Sequence, residues 1–114
     1  MGVIFQIALG GAFGAILRYF VGQAVMFPLG TLMVNVLGSF LMGLVFVLLA
    51  DRVHGPFVMV GVLGGFTTFS AFSLDAFRLY EAGRVMAAGG YVAGSVIASI
   101  LALVLGIAIA RALT

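Results

Sequence analysis

Four long apolar stretches, separated by short polar or proline-containing segments, dominate the chain. They cover residues 3–27, 29–50, 57–80 and 86–110. A helix needs about 20 apolar residues to cross the hydrocarbon core of a bilayer, and each stretch is long enough to do so. The pattern therefore predicts an all-α integral membrane protein, in which residues 1–114 form one domain of four transmembrane helices.

The orientation of such a domain depends on the basic residues in its loops. The connections are short, so neighbouring helices must run antiparallel. Both chain ends then lie on one side together with Arg52 and Arg111, and Arg78 and Arg84 lie on the other. Cytoplasmic loops collect arginine and lysine, so a balanced count favours neither orientation. The balance predicts dual topology, in which two opposed copies form an antiparallel homodimer, unless Arg18 tips the count.

The composition excludes a soluble domain. Of the 114 residues, 65% are hydrophobic and 7% are charged, whereas soluble proteins carry about 25% charged residues. The first stretch has no basic segment before it and is longer than a signal-peptide core, so we expect it to remain in the mature protein. The net charge of +2 comes from scattered arginines that form no basic cluster for nucleic acid.

Few side chains are suited to enzymatic or metal chemistry. The chain has no cysteine, which excludes disulfides, thiolate metal sites and cysteine nucleophiles. The three acids and the single histidine are dispersed along the chain. No paired carboxylates, metal-ligand cluster or nucleophile with a base can be assembled from them, so we predict that the protein is not an enzyme.

Small residues recur every four positions in two of the stretches. The last stretch has a strip made of Gly90, Gly94, Ala98, Ala102 and Gly106, and the first has a shorter one made of Gly10 and Gly14. Lipid tails are as apolar as leucine, so membrane helices gain contact where small residues let their backbones approach. The strips indicate helix packing and assembly.

The third stretch contains an unusual polar segment. Residues 64–70 combine two glycines, two threonines and a serine inside a span. Paired glycines favour departure from helical dihedral angles, so we predict that the helix is broken near Gly64-Gly65. One interpretation is a kink whose carbonyls are satisfied by the threonine hydroxyls. The other is an unwound segment whose free carbonyls coordinate a cation.

Three side chains of the second and third stretches are suited to contact with an anion. Phe69 and Phe72 share a helix face, and ring edges offer weak electropositive contacts, although such pairs usually contact core or lipid. Asn35 supplies an amide donor in mid-span, or alternatively an ordinary interhelical hydrogen bond. None of the three carries a mobile proton.

The last and first stretches add further polar groups. Tyr91, Ser95 and Ser99 are four residues apart and form one stripe of hydroxyls. Such donors can replace water around an anion, but serine in a membrane helix also bonds to its own backbone. Arg18 is costly inside a span unless it reaches water, and in a vestibule it would concentrate anions.

The order and spacing of three motifs resemble the small fluoride channels of the CrcB (Fluc) type. The motifs are GGAFGA at residues 10–15 followed by Arg18-Tyr19, GTLMVN at residues 30–35 followed by Gly38, and GGFTTFSAF at residues 64–72. They lie within residues 10–72 of the chain. Ala71 departs from the family, since many members have threonine at that position.

The resemblance implies an antiparallel dual-topology homodimer in the bacterial inner membrane that exports fluoride passively through two pores. It implies a sodium ion at the dimer interface, held by the backbone carbonyls of Gly64 and Thr67 from both subunits. It also implies a fluoride pathway along Asn35, Phe69, Phe72, Tyr91, Ser95 and Ser99. Arg18 matches the first-helix arginine of the family and is assigned to an anion vestibule.

Two other classes of protein fit parts of the pattern. A small dual-topology drug/proton antiporter also has four helices, but it needs a titratable carboxylate deep in a span, preferably in the first helix. The first stretch has none, and Asp75 is the only candidate elsewhere. A non-transporting assembly protein would explain the glycine strips and leave the polar stripe unused.

Overall fold

The computed structural model describes residues 2–114, which form helices joined by short turns. The elements in chain order are α1 (Val3–Ala24), α2 (Leu29–Leu49), a π-helical segment (Pro56–Leu63), α3 (Gly64–Phe66), α4 (Ser70–Glu81) and α5 (Val85–Leu113). Four helical spans are long and apolar enough to cross a membrane, the third being Pro56–Glu81. The prediction of an all-helical protein with four such spans is confirmed.

Helix α1 packs closely on the π-helical segment through glycine. A Cβ atom on Gly10 would lie 2.8 Å from the Cα of Gly61, and one on Gly14 would lie 2.8 Å from the Phe66 nitrogen. Real Cβ atoms do not approach that closely, so only glycine lets these backbones meet. The first-helix strip is therefore a packing surface within the chain.

Helices α2 and α5 meet through a second pair of glycines. A Cβ atom on Gly106 would lie 3.2 Å from the Cα of Gly43, and one on Gly43 would lie 2.9 Å from the Ile107 nitrogen. The other end of the α5 strip differs, because Cβ atoms on Gly90 and Gly94 would meet nothing within 4 Å. Only part of this strip therefore packs against the rest of the chain.

The helices turn large apolar side chains outward and bury a polar one. Ile4 is 80% exposed and Ile100 is 57% exposed, which suits contact with lipid. Gln6 is buried, and its Oε1 accepts the Phe57 N–H at 3.2 Å. The first N–H groups of a helix have no partner within it, so Gln6 satisfies one donor at the start of the π-helical segment.

The third span is interrupted at residues 67–69, slightly after the predicted position. Gly64 has helical dihedral angles (φ −63°, ψ −36°), and the chain becomes extended at Thr67 (φ −78°, ψ 159°). The third span is thus broken near the predicted position, but the glycine pair itself remains in the helix. A Cβ atom on Gly65 would lie 2.7 Å from the Gly11 carbonyl oxygen, so that glycine allows close packing on α1.

Candidate functional site

The interruption of the third span at residues 67–69 is here called the break. Asn35, on α2, holds it in place. Its Nδ2 donates to the Thr68 carbonyl at 2.8 Å, and its Oδ1 accepts the Thr68 N–H at 2.8 Å. A backbone unit that leaves the helix inside a membrane must find other partners, and Asn35 supplies both. The interhelical hydrogen bond considered for this residue is therefore present.

The threonines of the break satisfy neighbouring backbone groups. The Thr67 hydroxyl and N–H both donate to the Leu63 carbonyl at 3.0 Å. The Thr68 hydroxyl accepts the Ala71 N–H at 3.1 Å, which occupies one of the free donors in the first turn of α4. Together with Asn35, these contacts let the helix stop and restart within three residues.

The carbonyls of the break fall into paired and unpaired sets. The Leu63, Gly65 and Thr68 carbonyls accept hydrogen bonds from Thr67, Arg18 and Asn35, respectively. The carbonyls of Gly64 and Thr67 accept none from the part of the chain that is described, residues 2–114. These two are the carbonyls that the resemblance assigns to sodium.

A cavity of about 490 Å³ lies between α2, the break and α5. Its wall includes five of the six residues assigned to a fluoride pathway, namely Asn35, Phe69, Phe72, Ser95 and Ser99. Gly64 and Thr67 lie on the same wall, and none of the lining residues is acidic or basic. The cavity therefore combines neutral hydrogen-bond donors with aromatic and aliphatic surface.

Three aromatic rings stand in contact beside this cavity. The Phe69 and Phe72 ring centroids are 5.4 Å apart with planes at 71°, which directs the edge of one ring at the other. The Phe72 and Tyr91 centroids are 5.3 Å apart. Phe69 is 75% exposed in the isolated chain, whereas Phe72 and Tyr91 are buried. Tyr91 supports the ring of Phe72 and does not line the cavity itself.

The serine hydroxyls of the cavity include one without a partner. Ser95 is 3% exposed, and its hydroxyl makes no hydrogen bond with any described residue. A buried polar group without a partner costs free energy unless a ligand or water engages it. Ser39, on α2, also lines the cavity, and the sequence analysis missed it. It lies four residues after Asn35, so the helical repeat could have placed the two on one face.

Arg18 lies in a second, smaller cavity of about 250 Å³. This cavity also contains Tyr19, Thr31 and Ala71, so Ala71 lies beside the arginine. Thr68 lines both cavities, which places the break between them. Arg18 and the two serines therefore line different cavities.

Asp75 occupies a buried polar cluster that the sequence analysis did not identify. Its Oδ2 accepts the Thr31 hydroxyl at 2.7 Å, and the residue is 8% exposed. The Tyr91 hydroxyl approaches both residues but makes no hydrogen bond of ordinary geometry. The tyrosine at the start of the hydroxyl stripe therefore faces a carboxylate, and the two serines face the cavity.

The fold and these contacts define a multi-pass membrane protein with a neutral polar cavity at a broken helix. The family model described as "CrcB-like protein, Camphor Resistance (CrcB)" matches residues 5–107. The chain belongs to this family.

Several curated relatives are similar over nearly their full length. A protein of Cereibacter sphaeroides named "Fluoride-specific ion channel FluC" is 51% identical, with 95% of this chain and 94% of the relative covered. A protein of Rhizobium etli with the same name is 48% identical, with 96% of each chain covered. One from Paracoccus denitrificans, also with that name, is 50% identical over 95% of this chain and 94% of its own.

Proposed function

We propose that this chain is a fluoride channel that releases fluoride passively through the cavity between α2, the break and α5. The unpartnered Ser95 hydroxyl carries the proposal, because a buried O–H with no acceptor is suited to bind a small anion that has shed water. Asn35 and Ser99 extend this set of neutral groups. The curated relatives are named for fluoride conduction, which supports the same function and not an enzymatic one.

Passive export follows from the sign of the membrane potential. A cell interior that is negative by 100 mV drives an anion outward with about 2.3 kcal/mol per charge. The cavity wall carries no titratable side chain, so conduction there requires no proton carrier. Each neutral contact is weak enough to release the ion to the next.

Charge movement separates a channel from an antiporter. Vesicles that contain the purified protein and potassium fluoride should release fluoride slowly until valinomycin lets potassium follow, and rapidly thereafter. The drug/proton antiporter alternative predicts no fluoride release with or without valinomycin. The structure adds nothing in its favour, since α1 contains no acidic residue and Asp75 is hydrogen-bonded to Thr31.

The proposed channel is an antiparallel homodimer that inserts in both orientations, in a bacterial inner membrane. The balanced arginine count supports dual insertion. The open surface at Gly90 and Gly94 supports a close approach by another helix. The chain has no cysteine, so a single Val53→Cys variant can report orientation. About half of its thiols should react with an impermeant reagent, and reaction of nearly all or none would contradict dual insertion.

The proposed dimer also holds a sodium ion on the backbone carbonyls of Gly64 and Thr67. The chemistry of these groups fits, because carbonyl oxygens are hard donors and both lack other partners among residues 2–114. The described chain offers no cluster of acidic or histidine side chains as a competing metal site. Bound there, sodium would offset the dipoles of the two unpaired carbonyls.

Phe69→Ile should lower fluoride efflux about twofold to tenfold, if a ring-edge contact to the anion is worth as much as an edge-on aromatic pair, about 0.5–1.5 kcal/mol. The isoleucine keeps apolar bulk but removes the electropositive edge. Phe77→Ile is the matched control, since Phe77 is 53% exposed on α4, which begins directly after Phe69, and does not line the cavity. Equal efflux from the two variants, measured with a fluoride electrode, would remove Phe69 from the pathway.

A further inference from the structure

Arg18 makes a hydrogen bond to the broken helix that an anion-attracting role does not require. Its Nε donates to the Gly65 carbonyl at 3.2 Å, although the two residues are 47 positions apart in sequence. Arginine carries five N–H donors, and this bond uses one of them. The remaining donors have no partner among residues 2–114, so they stay available to the cavity that Arg18 lines.

The bonded carbonyl is adjacent to an unpaired one. Gly65 directly follows Gly64, and Thr68 directly follows Thr67. In each pair the first carbonyl is free of hydrogen bonds from the described residues, and the second is held by a side chain. Arg18 of α1 holds one pair, and Asn35 of α2 holds the other.

Fixing one peptide unit limits the orientation of the unit before it. Peptide units are planar, so only two soft dihedral angles connect successive carbonyls. Gly65 is further confined by its close approach to Gly11, where an added Cβ would lie 2.7 Å from the carbonyl oxygen. The direction of the Gly64 carbonyl is therefore set through Gly65, which α1 contacts through both its backbone and Arg18.

We propose that Arg18 is a positioning residue for a cation held by the Gly64 and Thr67 carbonyls. The inference rests on the sodium site of the proposed function. By occupying the Gly65 carbonyl, Arg18 keeps that oxygen out of the cation's ligand set and holds the neighbouring oxygen in a fixed direction. A preorganised ligand set binds more tightly because less ordering is required at binding.

The positive charge of Arg18 should weaken cation binding, whereas its hydrogen bond to Gly65 should strengthen it. A guanidinium near a cation site repels the cation, so neutralising it should tighten cation binding if charge were its main effect there. Loss of the hydrogen bond should weaken binding if positioning dominates. The two effects can be separated, because Gln has an amide nitrogen where Arg has Nε and carries no charge.

The test compares wild type, Arg18→Gln and Arg18→Met as full-length protein in detergent. Melting temperature is measured against sodium concentration at constant ionic strength with choline as the replacement. A ligand that binds only the folded state stabilises it by RT ln(1 + free ligand/Kd), so the sodium concentration above which the melting temperature begins to rise gives the apparent Kd. We expect Arg18→Gln to match wild type within about threefold. We expect Arg18→Met to need about tenfold more sodium, as the loss of a hydrogen bond from a charged donor implies.

If Arg18→Gln and Arg18→Met needed the same sodium concentration, whether higher or lower than wild type, the positioning role would be overturned and the sodium site would remain. A wild-type requirement in Arg18→Met would do the same. If the melting temperature of the wild-type protein did not change with sodium concentration, both the sodium site and the role of Arg18 would be overturned. Because the readout is the sodium concentration at which the melting temperature begins to rise, and not the melting temperature itself, a general loss of stability in one variant does not imitate the expected result.

Discussion

Asn35→Leu should abolish fluoride efflux and lower the stability of the protein. Leucine has a similar size but leaves both the Thr68 N–H and the Thr68 carbonyl without the partner that each has at 2.8 Å. Each unsatisfied buried group costs about 1–3 kcal/mol, so the loss should be about 2–6 kcal/mol. The break then loses its fixed position, and the pathway loses its amide donor.

Gln23→Met is a suitable control for this substitution. It also replaces a side-chain amide with an apolar side chain of similar length, at an exposed position near the end of α1. Melting temperature should stay near wild type in the control, whereas its efflux is not a fair comparison because Gln23 lines the cavity that contains Arg18. If Asn35→Leu retained wild-type efflux, the proposed route past Asn35 would be wrong. If it retained the wild-type melting temperature, the bridge to Thr68 would not hold the break.

Gly64→Val should disrupt the dimer while leaving the single chain intact. Gly64 is exposed and has helical dihedral angles, and an added Cβ would meet only the Met59 carbonyl oxygen, at 3.5 Å. The chain itself therefore tolerates a side chain here. At a subunit interface, overpacking costs about 1–3 kcal/mol, so the dimer dissociation constant should rise about fivefold to a hundredfold.

Gly89→Val provides the comparison, because Gly89 is likewise an exposed helical glycine and an added Cβ there meets nothing within 4 Å. Dissociation can be followed by single-molecule photobleaching or by dilution into a large lipid excess. Gly64→Val and Gly89→Val should differ in dissociation constant and agree in helix content. An unchanged dimer in Gly64→Val would argue that this face of the break does not meet a second subunit.

Local sequence patterns were sufficient to predict the spans. Four apolar stretches gave four helical spans, and the Gly10 and Gly14 spacing predicted a packing surface in α1. The polar segment after Leu63 predicted an interruption of the third span. These features depend on composition and helical repeat, which are properties of residues close together in sequence.

Contacts between distant residues could not be predicted in this way. Asn35 and Thr68 are 33 positions apart, Arg18 and Gly65 are 47 apart, and Thr31 and Asp75 are 44 apart. The break begins at Thr67 and not at the glycines because side chains from α1 and α2 hold particular backbone groups there. The position of the break is thus an effect of tertiary hydrogen bonding and not of glycine flexibility.

Contacts between distant residues also explain why the polar residues of the α5 stripe lie in two different environments. Tyr91, Ser95 and Ser99 share a helix face, so the sequence predicted that they act together. Contact with α4 instead sets Tyr91 against Phe72 and leaves the two serines at the cavity. Helical spacing defines a face, but neighbouring helices determine what that face contacts.

Fluoride efflux from vesicles, compared with chloride efflux from matched vesicles, tests the central claim most directly. With valinomycin present, vesicles containing the purified protein should release fluoride within seconds to minutes and retain chloride, and protein-free vesicles should retain both. Retention of fluoride by the protein-containing vesicles, or equal release of the two halides, would contradict a fluoride-selective route through this cavity.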